Sequence, residues 1–290
     1  MPYTVVIPAH NAARTLGAVL EALERQSAPP EEVIVVDDVS TDGTAAIAQA
    51  HGAKTIRAEH RLHAGGARNR GRDEAKTETV VFLDSDAIPA DDWGVGVERA
   101  TAEFPGAVVG CARTFAPTTA WGWVAHLQVE TPYLPRGAPR DTPFVSSYCM
   151  IVPASLPVRF DPSYGGEDAL FCVDAHDAGA RLVFDPRFSA HHDHPRETFA
   201  DLRRQQDRLA YGLARLGRVQ RESPLKRLAS RAPLHYFLLL RLPVLYGRLD
   251  EDAALRRRFW HLLPLLALAE WTLGLSALRY VRRRPPLRST

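Results

Sequence analysis

Three short apolar runs, rich in β-branched residues, stand out in the first ninety positions: residues 4–7, 33–36 and 80–83. Each run ends in a polar or proline-containing turn, which is typical of strands buried in a sheet. Helical patterns separate these runs. Strands that alternate with helices predict an α/β fold with a mostly parallel, doubly wound sheet. Ligands bind such sheets beyond the carboxyl ends of the strands, so the polar residues that follow each run are candidate site residues.

The first helical pattern consists of apolar residues at spacings of three and four, namely Leu16, Val19, Leu20 and Leu23. We predict that Asn11 is its N-cap, because asparagine can accept a hydrogen bond from a free backbone N–H at a helix start. A second helix is predicted after residues 40–41, and a third after Gly66. Together these helices would cover the sheet.

The pattern weakens over residues 93–162, where Pro, Gly and aromatic residues are scattered, and we expect an irregular half with a few antiparallel strands. Residues 167–178 then predict a helix and residues 181–184 a strand. After residue 199 leucine and arginine dominate, which indicates a helical appendage. The predicted domains are therefore a main domain at 1–200, divided near residue 93, and an appendage at 201–290.

Composition and charge narrow the class of protein. The 290 residues are 46% hydrophobic and 24% charged, which excludes a disordered, collagen-like or coiled-coil chain. Residues 201–290 contain 19 Lys and Arg against 7 acidic residues, or +12, which leaves 17 against 27, or −10, in residues 1–200. An acidic body argues against a nucleic-acid reader, and a basic tail predicts an anionic partner.

The cysteines and the N-terminus indicate a compartment. Cys111, Cys149 and Cys172 are too few and too widely spaced for a disulfide framework or a cysteine zinc site, which fits a reducing environment. The chain enters its first apolar run without the pattern of a secretory signal. We therefore expect a cytoplasmic main domain.

Three acidic clusters fall at predicted strand or loop ends: Asp37-Asp38, Asp84-Ser85-Asp86 and Glu167-Asp168. Carboxylates gathered at strand ends repel one another unless a cation or hydrogen-bond donors lie among them. Two carboxylates at positions i and i+2 of a turn can share one hard divalent cation, which would also bind diphosphate oxygens. Turn or helix-cap residues are the alternative interpretation.

The acidic clusters occur in the same order as in the family 2 glycosyltransferases, and the chain resembles this family over about residues 4–200. The resemblance rests on TVVIPAHNAARTL, VVDDVSTDGT, HAGGARNRG, VVFLDSDAIP and GGEDALF with the GARLVFDPRFSAHHDHP that follows. It implies the GT-A fold and an inverting transferase that uses a nucleotide-diphosphate sugar. The chain has no P-loop motif and no G-x-G-x-x-G sequence, so other nucleotide-binding folds match poorly.

The resemblance also implies a role for each matching residue. Those expected to bind the nucleotide sugar are Pro8, Ala9, Asn11, Asp37, Asp38, Gly66, Arg68, Asn69, Asp84 and Ser85. Asp38 would accept a hydrogen bond from the base, and Arg68 would suit an anionic donor through its forked guanidinium. Helix capping by Asp37 and Asp38, and a plain turn at Gly65 and Gly66, are the alternatives.

The same resemblance assigns the metal site and the base. Asp86, with Asp84, matches the metal motif, and Asp168, with Glu167, matches the motif of the general base. His192 would complete a site for Mn²⁺ or Mg²⁺, and an imidazole ligand would favour Mn²⁺. His194 has the same parity in the predicted extended segment and remains open as the ligand.

Two departures from the family pattern matter. The family usually has glycine where Val39 stands, which would alter the turn after Asp38. Ser147 and Tyr148 occupy the place of a common Gly-Asn pair in a segment that helps to hold the donor sugar or acceptor. The identity of the sugar therefore does not follow from the resemblance. A catalytically silent nucleotide-sugar-binding module, or a scaffold of an envelope assembly complex, is the alternative function.

The tail contains two strongly apolar stretches, residues 233–249 and 259–280, with arginine triplets at 256–258 and 282–284. A span of about 20 residues could just cross a hydrocarbon core, but Glu270 near its middle would cost about 3 kcal/mol. We therefore expect helices that lie on an anionic membrane surface, which would place the protein peripherally on the inner face of the cell membrane beside a lipid-linked or envelope glycan acceptor. A spanning helix and a packing or homodimer-forming helix are the alternatives.

Overall fold

The computed structural model describes residues 1–163, 165–192, 196–219, 234–249 and 252–283, and these form two compact units. The first unit comprises residues 1–114 and the described part of 135–193. The second comprises residues 115–134 and the described part of 194–288. This division differs from the predicted one at residue 200, because Val124, Leu127 and Leu134 pack in one core with Leu202 and Leu266.

The strands among the described residues are β1 (Tyr3–Ala9), β2 (Glu32–Asp37), β3 (Lys54–Arg57), β4 (Thr79–Leu83), β5 (Ala87–Pro89), β6 (Val108–Thr114), β7 (Arg140–Asp141), β8 (Cys149–Pro153) and β9 (Leu182–His192). The α-helices are α1 (Leu16–Glu24), α2 (Thr44–Ala50), α3 (His63–Asp73), α4 (Trp93–Glu103), α5 (Ala120–Ala125), α6 (Glu167–Asp177), α7 (Phe199–Val219), α8 (Leu234–Phe237), α9 (Arg241–Gly247), α10 (Ala253–His261) and α11 (Leu263–Arg283). A π-helical turn, His126–Glu130, and a 3₁₀ turn, Thr131–Tyr133, follow α5.

The described strands form one sheet in the order β3-β2-β1-β4-β8-β6-β9-β5, with β7 paired to β9. Strands β3, β2, β1 and β4 are mutually parallel, and β6 is parallel to β9. Antiparallel pairs join β8 to β4 and β6, and join β9 to β5 and β7. The α/β fold class and the strands predicted at 4–7, 33–36 and 80–83 are confirmed.

The parallel strands read as continuous apolar runs because helices cover both faces of the sheet. Val5 and Ile7 of β1 pack on one face with Leu16 and Leu20 of α1. Val6, whose side chain points to the other face, packs in a second cluster with Ala67 of α3. The two cores hold the strand ends, and the loops that follow them, in fixed positions.

Two predicted helix starts need correction. The N-cap of α1 is Thr15, whereas Asn11 lies in the preceding turn with φ 51° and accepts a hydrogen bond from the Thr41 N–H at 2.9 Å. Helix α3 begins at His63, so Gly66 lies inside it rather than before it. Asn11 therefore links two loops at the edge of the sheet.

Gly65 is required for packing and does not form a plain turn. A Cβ at this position would lie 2.2 Å from the Asp161 carbonyl oxygen, so only glycine lets α3 approach that backbone. The close approach brings the first turn of α3 against the loop that leads to α6.

The second unit is helical and has a polar cluster in its interior. Glu270 of α11 is buried, where its carboxylate accepts hydrogen bonds from Gln128 at 2.9 Å and Arg241 at 3.1 Å. Within the described residues, no single helix is long and apolar enough to cross a membrane. The pair Ala253–His261 and Leu263–Tyr280 meets the length and composition criteria together, but it is bent by 74°.

Val39 has φ 59°, in the left-handed region that is unfavourable for a β-branched residue. This is the position where the family usually has glycine, so the chain keeps the turn at a conformational cost. We predict that Val39→Gly raises the melting temperature by relieving about 1 kcal/mol of strain. Thermal unfolding followed by circular dichroism measures it. Val33→Gly, in extended β2, is the control and should lower the melting temperature; a loss of stability in Val39→Gly would contradict the argument.

Candidate active site

The ends of β1 and β2 bring the predicted nucleotide-binding residues together. Ala9 pairs in register with Asp37, and the Asp38 N–H donates to the Ala9 carbonyl at 2.8 Å. Pro8 lies one residue earlier on β1, and Asn11 lies in the loop that follows. These five residues therefore border one corner of the sheet, as expected for residues that follow neighbouring parallel strands.

The two aspartates of this corner have different partners. Asp37 is buried and its carboxylate accepts the Ser40 N–H at 3.0 Å, which closes the turn after β2. Asp38 accepts the Leu62 N–H at 2.6 Å and forms an ion pair with Arg61 at 2.7 Å. Neither caps α2 directly, since α2 begins six residues after Asp38. Recognition of a base by Asp38 stays a prediction.

The predicted site residues of α3 make different contacts. The Asn69 amide donates to the Phe160 carbonyl at 2.8 Å and accepts the Phe160 N–H at 2.9 Å, so both of its polar groups bind backbone. A Cβ at Gly66 would lie 3.2 Å from the Leu62 Cβ, which indicates close packing. A donor-binding role for Gly66 or Asn69 stays a prediction.

Asp84, Ser85 and Asp86 follow β4 in a tight turn and lie close to the end of β9. The Asp84 N–H donates to the Tyr148 carbonyl at 2.8 Å, and Ala87 pairs in register with His192. This pairing brings the His192 Nε2 atom to 3.1 Å from an Asp86 carboxylate oxygen. The predicted metal residues are thus adjacent although 106 positions separate two of them in sequence. His194 lies outside the described residues.

The donor atoms at this position fit a divalent cation. Asp84, Asp86 and His192 each offer one ligand atom, and the three atoms lie within 4.8 Å of one another. Two carboxylate oxygens and one imidazole nitrogen form a mixed set that suits Mn²⁺ better than Mg²⁺, which prefers oxygen ligands. Asp84 and Asp86 are both partly accessible, so a bound ion could also meet a ligand from solvent.

Arg68 connects the acidic turn to the start of α6. Its side chain is only 3% exposed, and its guanidinium donates to Asp84 at 2.7 Å and to Glu167 at 3.2 Å. The ring of Phe160 lies 5.3 Å from the guanidinium carbon. The forked side chain is thus committed to two carboxylates of the protein. A direct contact with the donor, as the resemblance implies, stays a prediction.

Asp168 stands in the first turn of α6, after Gly165 and Gly166, whose φ angles are 81° and 80°. These left-handed glycines turn the chain sharply into the helix. Loss of hydration, followed by the nearby charge of Glu167, raises the pKa of Asp168 to about 7, against a smaller opposing effect of Arg68. A carboxyl group with a pKa near neutrality is suited to accept a proton in this pH range.

Sequence reasoning did not single out Arg113 as a candidate site residue. It is the second-last residue of β6. Its guanidinium carbon lies 3.8 Å from the centroid of the Tyr148 ring, and it donates to the Ser146 hydroxyl at 2.8 Å. The Tyr148 ring lies 6.0 Å from the ring of His192. A basic residue next to the carboxyl end of the apolar run VVGCART is the feature that could have identified it.

The chain belongs to glycosyl transferase family 2. The family described as "Glycosyl transferase family 2" matches residues 4–156, which run from β1 to the end of β8 and include the acidic turn after β4. The family resemblance inferred from the motifs is therefore confirmed.

One relative is the amylovoran biosynthesis glycosyltransferase AmsB of Erwinia amylovora, which is 38% identical over 98 residues. That match covers 31% of this chain and 31% of AmsB, so the chain spans about a third of the length of that relative.

Solved structures share the fold. The mannosyltransferase PcManGT from Pyrobaculum calidifontis, in complex with GDP-Man and Mn²⁺, superposes with a TM-score of 0.65 at 21% identity, over 97% of this chain and 86% of that chain. Residues 1–349 of Staphylococcus aureus TarS, in complex with UDP-GlcNAc, superpose with a TM-score of 0.57 at 18% identity, over 98% and 92% of the two chains. At these identities the likeness establishes the GT-A type of fold.

The Arg68 bridge predicts a linked change in activity and pH dependence. Arg68→Gln removes a positive charge that lowers the pKa of Asp168, so this pKa should rise. In the function proposed below Asp168 is the general base, and the acid limb of the pH–rate profile should then move to higher pH. We expect at least a tenfold fall in kcat at pH 7. Rates of donor hydrolysis or transfer between pH 5.5 and 9 measure both effects.

Arg70→Gln is the matched control, because Arg70 lies on the same helix and pairs with Glu74. It should keep the wild-type profile. An Arg68→Gln variant that folds and has an unmoved acid limb would show that the bridge does not act on Asp168.

Proposed function

We propose that the protein is an inverting, metal-dependent glycosyltransferase that moves a sugar from a nucleotide diphosphate to an acceptor hydroxyl, in the assembly of an envelope polysaccharide. Family membership supports transfer, and the resemblance to the amylovoran enzyme AmsB supports the polysaccharide type of acceptor. One observation carries the proposal. Buried Arg68 joins Asp84, which belongs to the group of residues that could hold a metal ion, to Glu167 at the start of α6.

The donor is a nucleotide sugar in this proposal. PcManGT is described with GDP-Man and TarS with UDP-GlcNAc, so similar folds accept different bases and sugars. In this chain the corner formed by Ala9, Asp37 and Asp38 is the place for the nucleoside. A carboxylate there can accept a hydrogen bond from a base amide or amine.

Asp168 is the general base in this proposal. Its carboxylate would take the proton of the acceptor hydroxyl while the acceptor oxygen attacks the anomeric carbon from the side opposite the leaving diphosphate, which inverts the configuration. A divalent cation on Asp84, Asp86 and His192 would neutralise the charge of the departing diphosphate. Arg68 acts as a positioning residue, because it holds the carboxylates of Asp84 and Glu167.

Asp168→Asn should lower turnover by at least a hundredfold, because an amide cannot accept the proton. It should leave the affinity for the donor within about threefold, since the base acts on the acceptor. Turnover is measured with a pooled acceptor extract, and donor binding by thermal shift with UDP-, GDP- and dTDP-sugars in the presence of Mn²⁺. Asp177→Asn, at the far end of the same helix, is the control and should be unchanged.

The same variant has an expected effect on stability. Folding raises the pKa of Asp168 to about 7, so the folded state favours the protonated carboxyl group. The contribution of this group to the free energy of unfolding is therefore fully present in acid, below the pKa of the unfolded chain, and is lost as pH rises through 7. Asp168→Asn should therefore melt at a higher temperature than the wild type at pH 8. Near wild-type turnover would refute the base, whereas donor binding without any transfer or hydrolysis by the wild type would favour the silent nucleotide-sugar-binding module.

The metal site predicts a difference between two ions. His192→Ala leaves only oxygen ligands, so it should weaken Mn²⁺-supported activity about tenfold more than Mg²⁺-supported activity. Because only neutral imidazole binds a metal, the apparent Mn²⁺ affinity of the wild type should also fall in acid. Each ion is titrated against transfer for His192→Ala and, in parallel, for His194→Ala. Loss of Mn²⁺ preference in the His194 variant alone would assign the ligand to that histidine instead.

A further inference from the structure

Helix α11 of the second unit carries an apolar stripe on its exposed side. Leu268, Trp271 and Leu275 are 45%, 54% and 56% exposed, and Pro264 continues the row one turn earlier. The spacings of four, three and four residues place these side chains on one face of the helix. We call Pro264, Leu268, Trp271 and Leu275 the α11 stripe. An exposed apolar row of this kind indicates an interaction surface.

The buried side of α11 packs Leu266, Ala269 and Leu273 and also contains two polar residues. Glu270 and Ser276 are buried there, and Glu270 is held by Arg241 and Gln128. The helix thus buries apolar and polar side chains together, and it also exposes tryptophan and leucine, which a surface helix usually keeps inside. Rotation of the helix to bury the stripe would break the ion pair of Glu270. The exposure of the stripe is therefore fixed by the interior.

The turn between α8 and α9 extends the apolar surface. The Trp271 indole N–H donates to the Phe237 carbonyl at 3.1 Å, which places this turn beside the stripe. Leu239 has φ 55° and packs into the core, while its neighbours Leu238 and Leu240 are 64% and 58% exposed. Two more leucines thus lie at the surface next to Trp271.

Arginines continue the face, and the described parts of 234–283 contain few carboxylates. Arg279 and Arg282 are exposed and follow Leu275 at spacings of four and three residues. The described residues 234–249 and 252–283 contain eight arginines and two acidic residues. Of these two, Glu270 is buried in an ion pair, and Asp252 accepts the Leu255 N–H at the start of α10. The face is apolar with a cationic border.

We propose that the α11 stripe, with Leu238, Leu240 and the arginines that follow it, binds the surface of an anionic phospholipid bilayer. Leucine and tryptophan side chains would enter the boundary between headgroups and acyl chains, and the guanidinium groups would bind lipid phosphates. Tryptophan suits this depth because its ring is apolar and its N–H is polar. A second copy of the chain fits less well, since the described residues 234–249 and 252–283 offer arginines to a like face and only Asp252 as a partly exposed carboxylate. This inference concerns attachment and does not depend on the proposed transfer reaction.

Flotation of the full-length protein with lipid vesicles tests the proposal. We expect it to float with vesicles of equal parts phosphatidylcholine and phosphatidylglycerol, and much less with phosphatidylcholine alone. Leu268→Gln/Leu275→Gln should reduce binding to the anionic vesicles about tenfold or more, because both side chains lose their apolar contact with the bilayer. Leu213→Gln, an exposed leucine on α7, is the control and should bind as the wild type does.

The charge contribution is tested separately. Arg279→Gln/Arg282→Gln should weaken binding to the anionic vesicles and reduce its dependence on salt, whereas Arg25→Gln/Arg181→Gln, two exposed arginines of the first unit, should not. Thermal melts of each variant confirm that the fold is retained.

Three outcomes would overturn the proposal. The wild type would fail to float with anionic vesicles, the stripe variant would bind as well as the wild type, or the wild type would form a dimer that the stripe substitutions dissociate without any change in vesicle binding. The last outcome would assign the stripe to self-association.

Discussion

The buried guanidinium of Arg68 is the interaction on which the site depends. The carboxylates of Asp84 and Glu167 converge beyond the sheet, and without a counter-charge their repulsion would oppose folding. One arginine that contacts both removes this cost and fixes the start of α6 relative to the turn after β4. Asp168, which Arg68 does not contact by a hydrogen bond, retains a raised pKa. The arrangement leaves Asp168 with a raised pKa beside two carboxylates that are paired with an arginine.

Much of the first unit could be predicted from the sequence because its strands are buried on both faces. Continuous apolar runs mark β1, β2 and β4. The polar residues that follow these strands are expected to lie close together, because parallel strands present their carboxyl ends on one edge. The partners within the site could not be predicted in this way. Arg68 contacts one residue 16 positions away and another 99 positions away, and periodicity carries no information about such contacts. The family motifs brought these positions into consideration, but they do not show which groups bind one another.

Local rules also failed where a tertiary contact competed with them. Asn11 has the right residue type and position for a helix N-cap, but its side chain binds the Thr41 backbone of another loop, and Thr15 begins the helix instead. Similarly, a plain turn was one interpretation of Gly65 and Gly66. In the structure, Gly65 lies in α3, and its lack of a Cβ allows the helix to pack closely against the Asp161 backbone. In both cases the residue satisfies a contact that is distant in sequence, and local propensity contributes less than that contact.

The C-terminal helices show why an apolar pattern alone does not tell whether a helix lies in a protein core or at a membrane. Residues 259–280 have the composition of a core helix, an interfacial helix or a broken span, and Glu270 counts as a penalty in each of these when it is considered alone. In the structure it is paired with Arg241, 29 positions earlier, and with Gln128, 142 positions earlier. Buried ion pairs rarely add much stability compared with apolar residues of similar size, because both charges lose their hydration. The ion pair also fixes the orientation of the helix: with Glu270 held inside, the side of α11 that faces outward is the one with Leu268, Trp271 and Leu275.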